Sequence, residues 1–126
     1  MRSWIRSVLN LEGFRAGQIN FVFTDDVYLS EMNVKYLKHK TLTDIITFPG
    51  DGNGRIVRGD IFISLDRVRE NAEKFRVTVD EELFRVMIHG ILHLMGYDDS
   101  TVTLQKIMRG MENASLEILS GMTNPV

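Results

Sequence analysis

The sequence predicts an α+β fold, a small mixed sheet packed by helices. Short stretches rich in β-branched and aromatic residues stand among longer segments whose apolar residues recur at helical spacing. The predicted order is helix, strand, helix, two strands and three helices, which is typical of the α+β class. No repeat, linker or change of composition divides the 126 residues, so we expect a single domain over residues 1–126.

The first half of the chain is predicted to form a helix, a strand and a second helix. Apolar residues at helical spacing predict the first helix over residues 2–13, ending near Gly13. The stretch GQINFVFTDD then places Ile19, Phe21 and Phe23 on one face, which is the period of a half-buried strand. Its last three residues are cap candidates for the second helix. The apolar members of that helix are Val27, Leu29, Met32, Val34 and Leu37.

The second half is predicted to form a hairpin followed by three helices. The stretches TDIITFP and IVRGDIFISL are strands by composition, and the turn-rich GDGNG separates them. Helices are predicted over residues 66–76, 80–95 and 102–119. The middle helix is apolar on two adjacent faces, so we expect it to be largely buried. Its narrow polar stripe consists of Glu81, Arg85, His89 and His93.

The composition excludes several classes of protein. Lys and Arg total 15 against 17 Asp and Glu, so any contact with nucleic acid must be local. Because the chain has no cysteine, a transition metal would have to be held by imidazole and carboxylate groups. No apolar run approaches the roughly 20 residues of a membrane span. The N-terminus MRSWIRSVLN also lacks the apolar core of a signal peptide, so we expect a cytoplasmic protein without a membrane partner.

The stretch HGILHLMGYDDS indicates a metal site. His89 and His93 are four residues apart and project from the same side of a helix, where two imidazoles can share one ion. Gly96 is suited to a left-handed helix end that turns the chain back, so that Asp99 can supply a third ligand. With offsets of 0, 4, 7 and 10, these residues follow the spacing of the metzincin pattern H-E-x-x-H-x-x-G-x-x-H. We therefore predict a zincin-like metal-binding helix.

Two positions differ from that pattern. Gly90 stands where the proteases have a glutamate as general base, which argues against a peptidase. Asp99 stands where they have a third histidine. The alternative is that the histidines form the polar edge of a packed helix while Asp98 and Asp99 cap the next helix. The spacing of the glycine and the carboxylate favours the metal site.

The densest basic stretch is KYLKHK, which begins at Lys35. Lysines and a histidine around a tyrosine can hold phosphates and stack a base. A solvated helix end and loop is the alternative, and short basic clusters of that kind are common on protein surfaces. The candidate RNA-binding residues are Lys35, Lys38, His39 and Lys40 in this stretch, and Asp44 just after it.

Three stretches of the sequence together resemble one family. HGILHLMGYDD resembles the H-G-x-L-H-L-x-G-Y-D-H motif of the YbeY family, which comprises bacterial endoribonucleases and rRNA maturation factors. MNVKYLKHKTLTDIITFP is similar to that family's L-N-x-x-Y-R-x-x-x-x-P-T-D-V-L-S-F-P, and GDIFIS to its G-D-I-x-I-S strand. The residues in register in the second stretch are Asn33, Tyr36, Thr43, Asp44, Phe48 and Pro49.

The resemblance implies a zinc-dependent endoribonuclease. It implies one Zn²⁺ per chain, with His89, His93 and Asp99 in the ligand positions, and cleavage of single-stranded RNA rather than DNA. It also implies maturation of the 3′ end of 16S rRNA and ribosome quality control, with rRNA and the small ribosomal subunit as partners. The oligomeric state is left open.

The chain departs from the family at three places. Asp99 replaces the third histidine, and Leu37 replaces an arginine that can clamp a phosphate. The family also has a strand before the first helix, whereas this sequence begins with the helix.

Several residues are candidates for the chemistry beside the metal. Asp98 is a candidate catalytic residue with His89 and His93. Asp44 is either a second residue that assists catalysis or a turn residue whose side chain is hydrogen-bonded to backbone. Either water or the 2′-hydroxyl of RNA can be the nucleophile. Two other functions stay open: a weakly catalytic or non-catalytic ribosome assembly factor that retains the metal site, and a hydrolase acting on another ester or amide.

Overall fold

A computed structural model describes residues 2–37, 43–51 and 54–123. In these ranges the chain forms five α-helices, a π-helical segment and a three-stranded sheet, in the order that the sequence predicts. The elements are α1 (Arg2–Leu11), β1 (Arg15–Thr24), α2 (Asp26–Met32), the π-helical segment (Asn33–Leu37), β2 (Ile45–Pro49), β3 (Ile56–Ser64), α3 (Leu65–Phe75), α4 (Val79–Leu94) and α5 (Val102–Thr123).

The sheet is mixed, with β3 in the centre. β3 pairs in parallel with β1 and antiparallel with β2, giving the order β1-β3-β2. The parallel pair requires a crossover, which the segment from α2 to β2 supplies. The predictions of an α+β fold, a mixed sheet and a β2–β3 hairpin are therefore confirmed.

The core lies between one face of the sheet and the helices α1 and α4. Every second residue of β3 points into it, among them Val57, Ile61 and Ile63, while the residues between them are more exposed. Fully burying one large apolar side chain contributes about 1.5–3 kcal/mol. The helices contribute these buried residues: Trp4, Ile5, Val8, Leu9, Val86, Met87, Ile88 and Ile91.

Trp4 connects the first and last helices of the described chain. Its ring is fully buried, packs edge-on against Phe84 at 5.9 Å between centroids, and donates from Nε1 to the Ser115 carbonyl at 2.7 Å. The indole thus satisfies its one polar group inside the core. Because of this contact, α5 is held near the end of α4 that carries Arg85 and Glu82.

The second helix is less buried than its apolar pattern predicts. Leu29 is 1% exposed, but Val27 is 67% and Val34 is 47% exposed. The helix has seven residues and is followed by the π-helical segment, so the apolar positions do not stay on one face over the whole stretch. Its predicted cap is present, since Asp25 accepts a hydrogen bond from the Tyr28 amide at 2.8 Å.

Among the helices of the described ranges, none combines the length and apolar character of a membrane span.

Gly59 allows the two antiparallel strands and α4 to approach each other closely. A Cβ atom at this position would lie 2.6 Å from the Phe48 carbonyl oxygen and 2.9 Å from Leu94 Cδ2. The first of these neighbours is backbone of the paired strand, which cannot rotate away as a side chain can. The glycine of the GDIFIS stretch is therefore required by packing.

We expect Gly59→Ala to lower the free energy of unfolding by about 1–3 kcal/mol, the usual cost of overpacking. Urea denaturation of the metal-free protein measures this change. The matched control is Gly110→Ala on the exposed side of α5, where a Cβ atom would meet nothing within 4 Å. Alanine there should raise the free energy of unfolding by roughly 0.5–1 kcal/mol. Equal stability of the two variants would contradict this account of Gly59.

Candidate metal centre

Helix α4 places the two histidines one turn apart on the side that faces α5. The helix starts at a Thr78 cap, whose hydroxyl accepts from the Glu81 amide at 3.1 Å. Its apolar residues bury it against the sheet and α1, so its rotation about its own axis is fixed. The rings of His89 and His93 pack edge-on, with their Nε2 atoms 3.0 Å apart.

The chain reverses at Gly96, as the sequence predicts. Gly96 has a φ of 107°, and the last carbonyls of α4 are satisfied by the Gly96 amide on His93 at 3.0 Å and the Tyr97 amide on Leu92 at 3.0 Å. The Tyr97 hydroxyl then donates to the Glu12 carboxylate at 2.7 Å, which anchors the loop to the end of α1. This turn brings Asp99 back to the histidines.

The three predicted ligands converge. Asp99 Oδ2 lies 3.3 Å from His89 Nε2, and Asp99 Oδ1 lies 3.6 Å from His93 Nε2. Ligands placed tetrahedrally at about 2.1 Å from a zinc ion are about 3.4 Å apart. The observed separations therefore fit one ion of that size. Among the residues of the described ranges, these three offer ligand atoms that all lie within 4.8 Å of one another.

Glu112 on α5 orients His89. Its carboxylate, 5% exposed, lies 2.7 Å from His89 Nδ1, and its other oxygen accepts from Arg85 Nη1 at 3.1 Å. With Nδ1–H donating to Glu112, the Nε2 lone pair of the neutral ring faces the ligand group. Such a carboxylate–histidine pair fixes the tautomer of a metal ligand and raises its basicity.

The charges of this pair reinforce each other. Burial alone would lower the pKa of His89, but the hydrogen bond and charge of Glu112, with Asp99, raise it. Burial alone would raise the pKa of Glu112, but His89 and Arg85 lower it. Glu112 is therefore ionised over the physiological range, and a metal ion at the group competes with a proton on His89.

A cavity of about 410 Å³ opens beside the ligand group. Its lining includes His89 and Asp99, and it extends past Asp44, Glu82 and Arg85. Burial raises the pKa of Asp44 in spite of the opposing charge of His89. A carboxylate of this kind is a better proton acceptor than an exposed aspartate, and it faces the same space as the ligands.

The position of Gly90 explains the missing glutamate. Gly90 faces the sheet, where a Cβ atom would lie 2.8 Å from Ile45 Cδ1 and 2.9 Å from Ile61 Cγ2. A glutamate at this position would require the Ile45 and Ile61 side chains to move, and it would lie on the side of the helix that faces the sheet. Packing therefore disfavours the protease general base here, and a proton acceptor would come from another element.

Asp98 is engaged within its own loop. It is exposed, and its carboxylate accepts from the Asp99 amide at 2.7 Å and from the Ser100 hydroxyl at 2.6 Å. The Ser100 hydrogen bond lowers the pKa of Asp98. The alternative in which Asp98 and Asp99 cap the next helix is wrong, because the Thr101 hydroxyl accepts the capping bond from the Leu104 amide at 3.1 Å.

The remaining predicted residues are placed as follows. Lys35 is exposed on the π-helical segment, with Nζ 5.2 Å from the centroid of the Tyr36 ring. Of the polar stripe, Glu81 is exposed, and its neighbour Glu82 lines the cavity instead. Lys38, His39 and Lys40 lie outside the described residues.

Sequence reasoning missed Glu112, Glu82 and the role of Arg85. A signal for Glu112 was present, since it lies on the same stripe of α5 as Met108 and Ser115, which are buried. An acidic residue on the apolar stripe of a helix is rarely buried without a partner. The partner, however, lies 23 residues earlier in the chain.

We expect Asp99→Ala to weaken zinc binding by more than about 100-fold, the upper end of what loss of an outer-shell partner costs. Asp99→His should retain tight binding, because it replaces one zinc ligand with another. Asp98→Ala is the matched control, one residue away and outside the ligand group. Competition titration with a chromophoric chelator measures the three affinities. Loss of the ion in Asp98→Ala with retention in Asp99→Ala would contradict the assignment.

The His89–Glu112 pair should make the stability of the metal-free protein depend on pH. Because the folded pKa of His89 is raised, its contribution is complete below the unfolded pKa of about 6.5 and is lost as the pH rises through the folded pKa. The folded pKa of Glu112 is lowered, so its contribution is present above the unfolded pKa and is lost as the pH falls through the folded pKa.

Urea denaturation of chelator-treated wild type and Glu112→Gln across this range tests the pair. The free energy of unfolding of wild type minus that of Glu112→Gln should be largest at pH values between the pKa of Glu112 and that of His89. It should become smaller at lower and at higher pH. A difference that is constant with pH would show that Glu112 acts by packing alone.

Comparison with known proteins places the chain in a family. The family model described as Endoribonuclease YbeY matches residues 1–120. The Endoribonuclease YbeY of Flavobacterium psychrophilum is 47% identical over 92% of this chain and 82% of its own length. That of Phocaeicola vulgatus is 47% identical over 93% of this chain and 84% of its own length.

A solved structure supports the same conclusion. The solution structure of a Thermotoga maritima protein superposes with a TM-score of 0.68 at 28% identity, covering 96% of this chain and 79% of the other. Family model, relatives and fold agree, and the predicted resemblance is confirmed. The chain therefore belongs to the endoribonuclease YbeY family.

Proposed function

We propose that this protein is a zinc-dependent endoribonuclease that cleaves single-stranded RNA. The observation that carries the proposal is the convergence of His89, His93 and Asp99 beside an open cavity, in a chain that belongs to a family named for endoribonuclease activity. Three protein ligands with room for a fourth group are typical of catalytic rather than structural zinc sites. One ion per chain fits this ligand number.

The residues of the site have distinct roles in this proposal. His89, His93 and Asp99 hold the ion, and Glu112 keeps His89 in the tautomer that can bind it. When bound, zinc supplies Lewis acidity at the reacting phosphate. Asp44, whose pKa is raised by burial, accepts the proton of the attacking hydroxyl or water. Asp98 shapes the loop that presents Asp99.

RNA fits this site better than peptide does. The 2′-hydroxyl beside each phosphate is a nucleophile that the substrate itself brings, so a glutamate at position 90 is not required. A single strand can place a phosphate at the ligand group and an unstacked base in the cavity. Arg109 on the cavity wall is a cation that could contact its backbone, and the basic stretch with Lys35, Lys38, His39 and Lys40 supplies further candidates from the sequence. We propose small-subunit rRNA, including the 3′ end of 16S rRNA, as the substrate, with roles in the cytoplasm in ribosome maturation and quality control.

A second candidate function is a ribosome assembly factor that keeps the metal site and cuts weakly. It is favoured by Leu37, which stands where the family resemblance implies an arginine. A leucine cannot make the bidentate contact to a phosphate that arginine makes. The two candidate functions predict different rates of RNA cleavage but the same fold and the same metal site.

We expect chelator-sensitive endonucleolytic cleavage of single-stranded RNA by the zinc-loaded protein, and loss of cleavage in His89→Ala. Leu37→Arg should raise the rate about tenfold or more, since a charge-assisted contact contributes about 1.5–3 kcal/mol. Gel analysis of labelled RNA measures the rates. The end groups identify the nucleophile, because a cyclic phosphate indicates attack by the 2′-hydroxyl and a 5′-phosphate indicates attack by water.

The His89→Ala protein, purified in parallel, is also the control for contaminating nucleases. Cleavage that persists unchanged in this variant would remove the nuclease proposal and favour the assembly factor. A short peptide library assayed with the same preparations tests the third possibility, a hydrolase acting on amides.

A further inference from the structure

The cavity beside the ligand group is larger than the metal site needs. Its volume of about 410 Å³ lies within the usual range of small-molecule pockets, roughly 300–1,000 Å³. Beyond His89 and Asp99 its wall carries apolar, aromatic, amide and carboxylate groups. These include Val86, Phe75, Asn71, Gln105 and Glu82. A wall of this mixed character suits a flat heterocycle with a polar edge.

Glu82 is a nearly buried carboxylate on this wall and lies outside the ligand group. It is 6% exposed, and Arg85 and Arg109 are the positive charges that act on it. Burial, followed by the charge of Asp44, raises its pKa in spite of these two arginines. Burying a carboxylate is costly, and N–H donors that approach it from the cavity would favour its charged form.

We propose that Glu82 reads a guanine base of the RNA in this cavity, next to the scissile phosphate. The inference rests on the proposed function and names the base that the site prefers. A carboxylate has two acceptor oxygens side by side, and guanine presents two adjacent donors, N1–H and the N2 amino group. Adenine and cytosine place a ring nitrogen acceptor beside their amino group, and uracil has one N–H between two carbonyls, so each of these would repel one carboxylate oxygen.

The surroundings of Glu82 support a base rather than a metal ion. Phe75, whose side chain is 50% exposed, lines the same cavity and offers a ring on which a base can stack. Arg109 is also on the wall, where its largely exposed side chain lies 3.8 Å from Glu112 and carries a positive charge that a phosphate could approach. The ligand group lies in the same cavity, so one nucleotide can contact both.

The test uses zinc-loaded full-length protein and short uridine-rich RNAs that differ at one nucleotide beside the cleaved bond. We expect wild type to cleave the RNA with guanine there roughly tenfold or more faster, in kcat/KM, than the RNA with adenine. Inosine, which lacks the N2 amino group, should give an intermediate rate. Glu82→Gln presents one acceptor and one donor, so its preference should shift from guanine to adenine or cytosine.

Glu81→Gln is the matched control, because Glu81 is exposed on the neighbouring position of α4 and is not on the cavity wall. It should keep the guanine preference. A ratio of rates between two RNAs does not depend on the overall activity, so a partly inactive variant still reports it. If cleavage is chelator-sensitive but equal for all bases, the inference fails while the proposed function stands.

A binding measurement covers the case in which no RNA is cut. Titration of wild type and Glu82→Gln with guanosine 5′-monophosphate and adenosine 5′-monophosphate, followed by NMR, should show tighter guanine binding in wild type only. Equal binding of the two nucleotides by wild type would overturn the inference. Titration of the same two proteins with Mn²⁺ tests the alternative that Glu82 holds a cation. If zinc-loaded wild type binds Mn²⁺ and Glu82→Gln does not, with base preference unchanged, the inference is also overturned.

Discussion

The burial of α4 between the sheet and α5 is the constraint on which the site depends. Gly90 lets the helix lie directly on Ile45 and Ile61, because a side chain there would collide with both. With that side fixed, the opposite stripe of α4 must face α5 and the loop after Gly96. The histidines are on this stripe, so the packing of an apolar face determines where the polar face can meet its partners.

The same packing makes electrostatics strong within the site. His89, Glu112 and Arg85 form a chain of hydrogen bonds in which each charge has an opposite neighbour, so their partial burial is compensated. At Asp44 and Glu82 burial outweighs the opposing charges, which are His89 for Asp44 and Arg85 and Arg109 for Glu82, so the pKa of each carboxyl group is raised. Perturbed carboxyl groups of this kind, beside a group that could hold a metal ion, are typical of functional sites.

Much of the fold and part of the site followed from local patterns. The order of elements, the hairpin and the reversal at Gly96 depend on periodicity, turn chemistry and a helix end, which neighbouring residues determine. The ligand group could be predicted because His89, His93 and Asp99 lie within one helix and its following turn. Asp44 was named as a candidate only through the family resemblance, and Glu112 was not named at all, because each reaches the site through the packing of a distant element.

Burial was the least predictable property for a similar reason. Val27 and Val34 have the apolar character of core residues, yet the short helix and the π-helical segment leave them exposed. Glu82 has the character of a surface residue, yet the contact of α4 with its neighbours buries it. Which face of an element is covered is decided by other elements, so composition alone gives the wrong result at both kinds of position.

The aspartate at position 99 changes the balance of charge in this site. Relative to a third imidazole it adds one negative charge to the ligand group, which would weaken the attraction of a bound ion for an anionic phosphate and make a water on that ion less acidic. In the proposed function a less acidic water needs a stronger base, and Asp44, whose pKa is raised by burial, would supply one in the same cavity. Arg109 and the guanidinium of Arg85 restore positive charge on its wall. In the proposed function Asp99 and Asp44 would therefore act together, because a more basic proton acceptor in the cavity would offset the lower acidity of a water held by the ion.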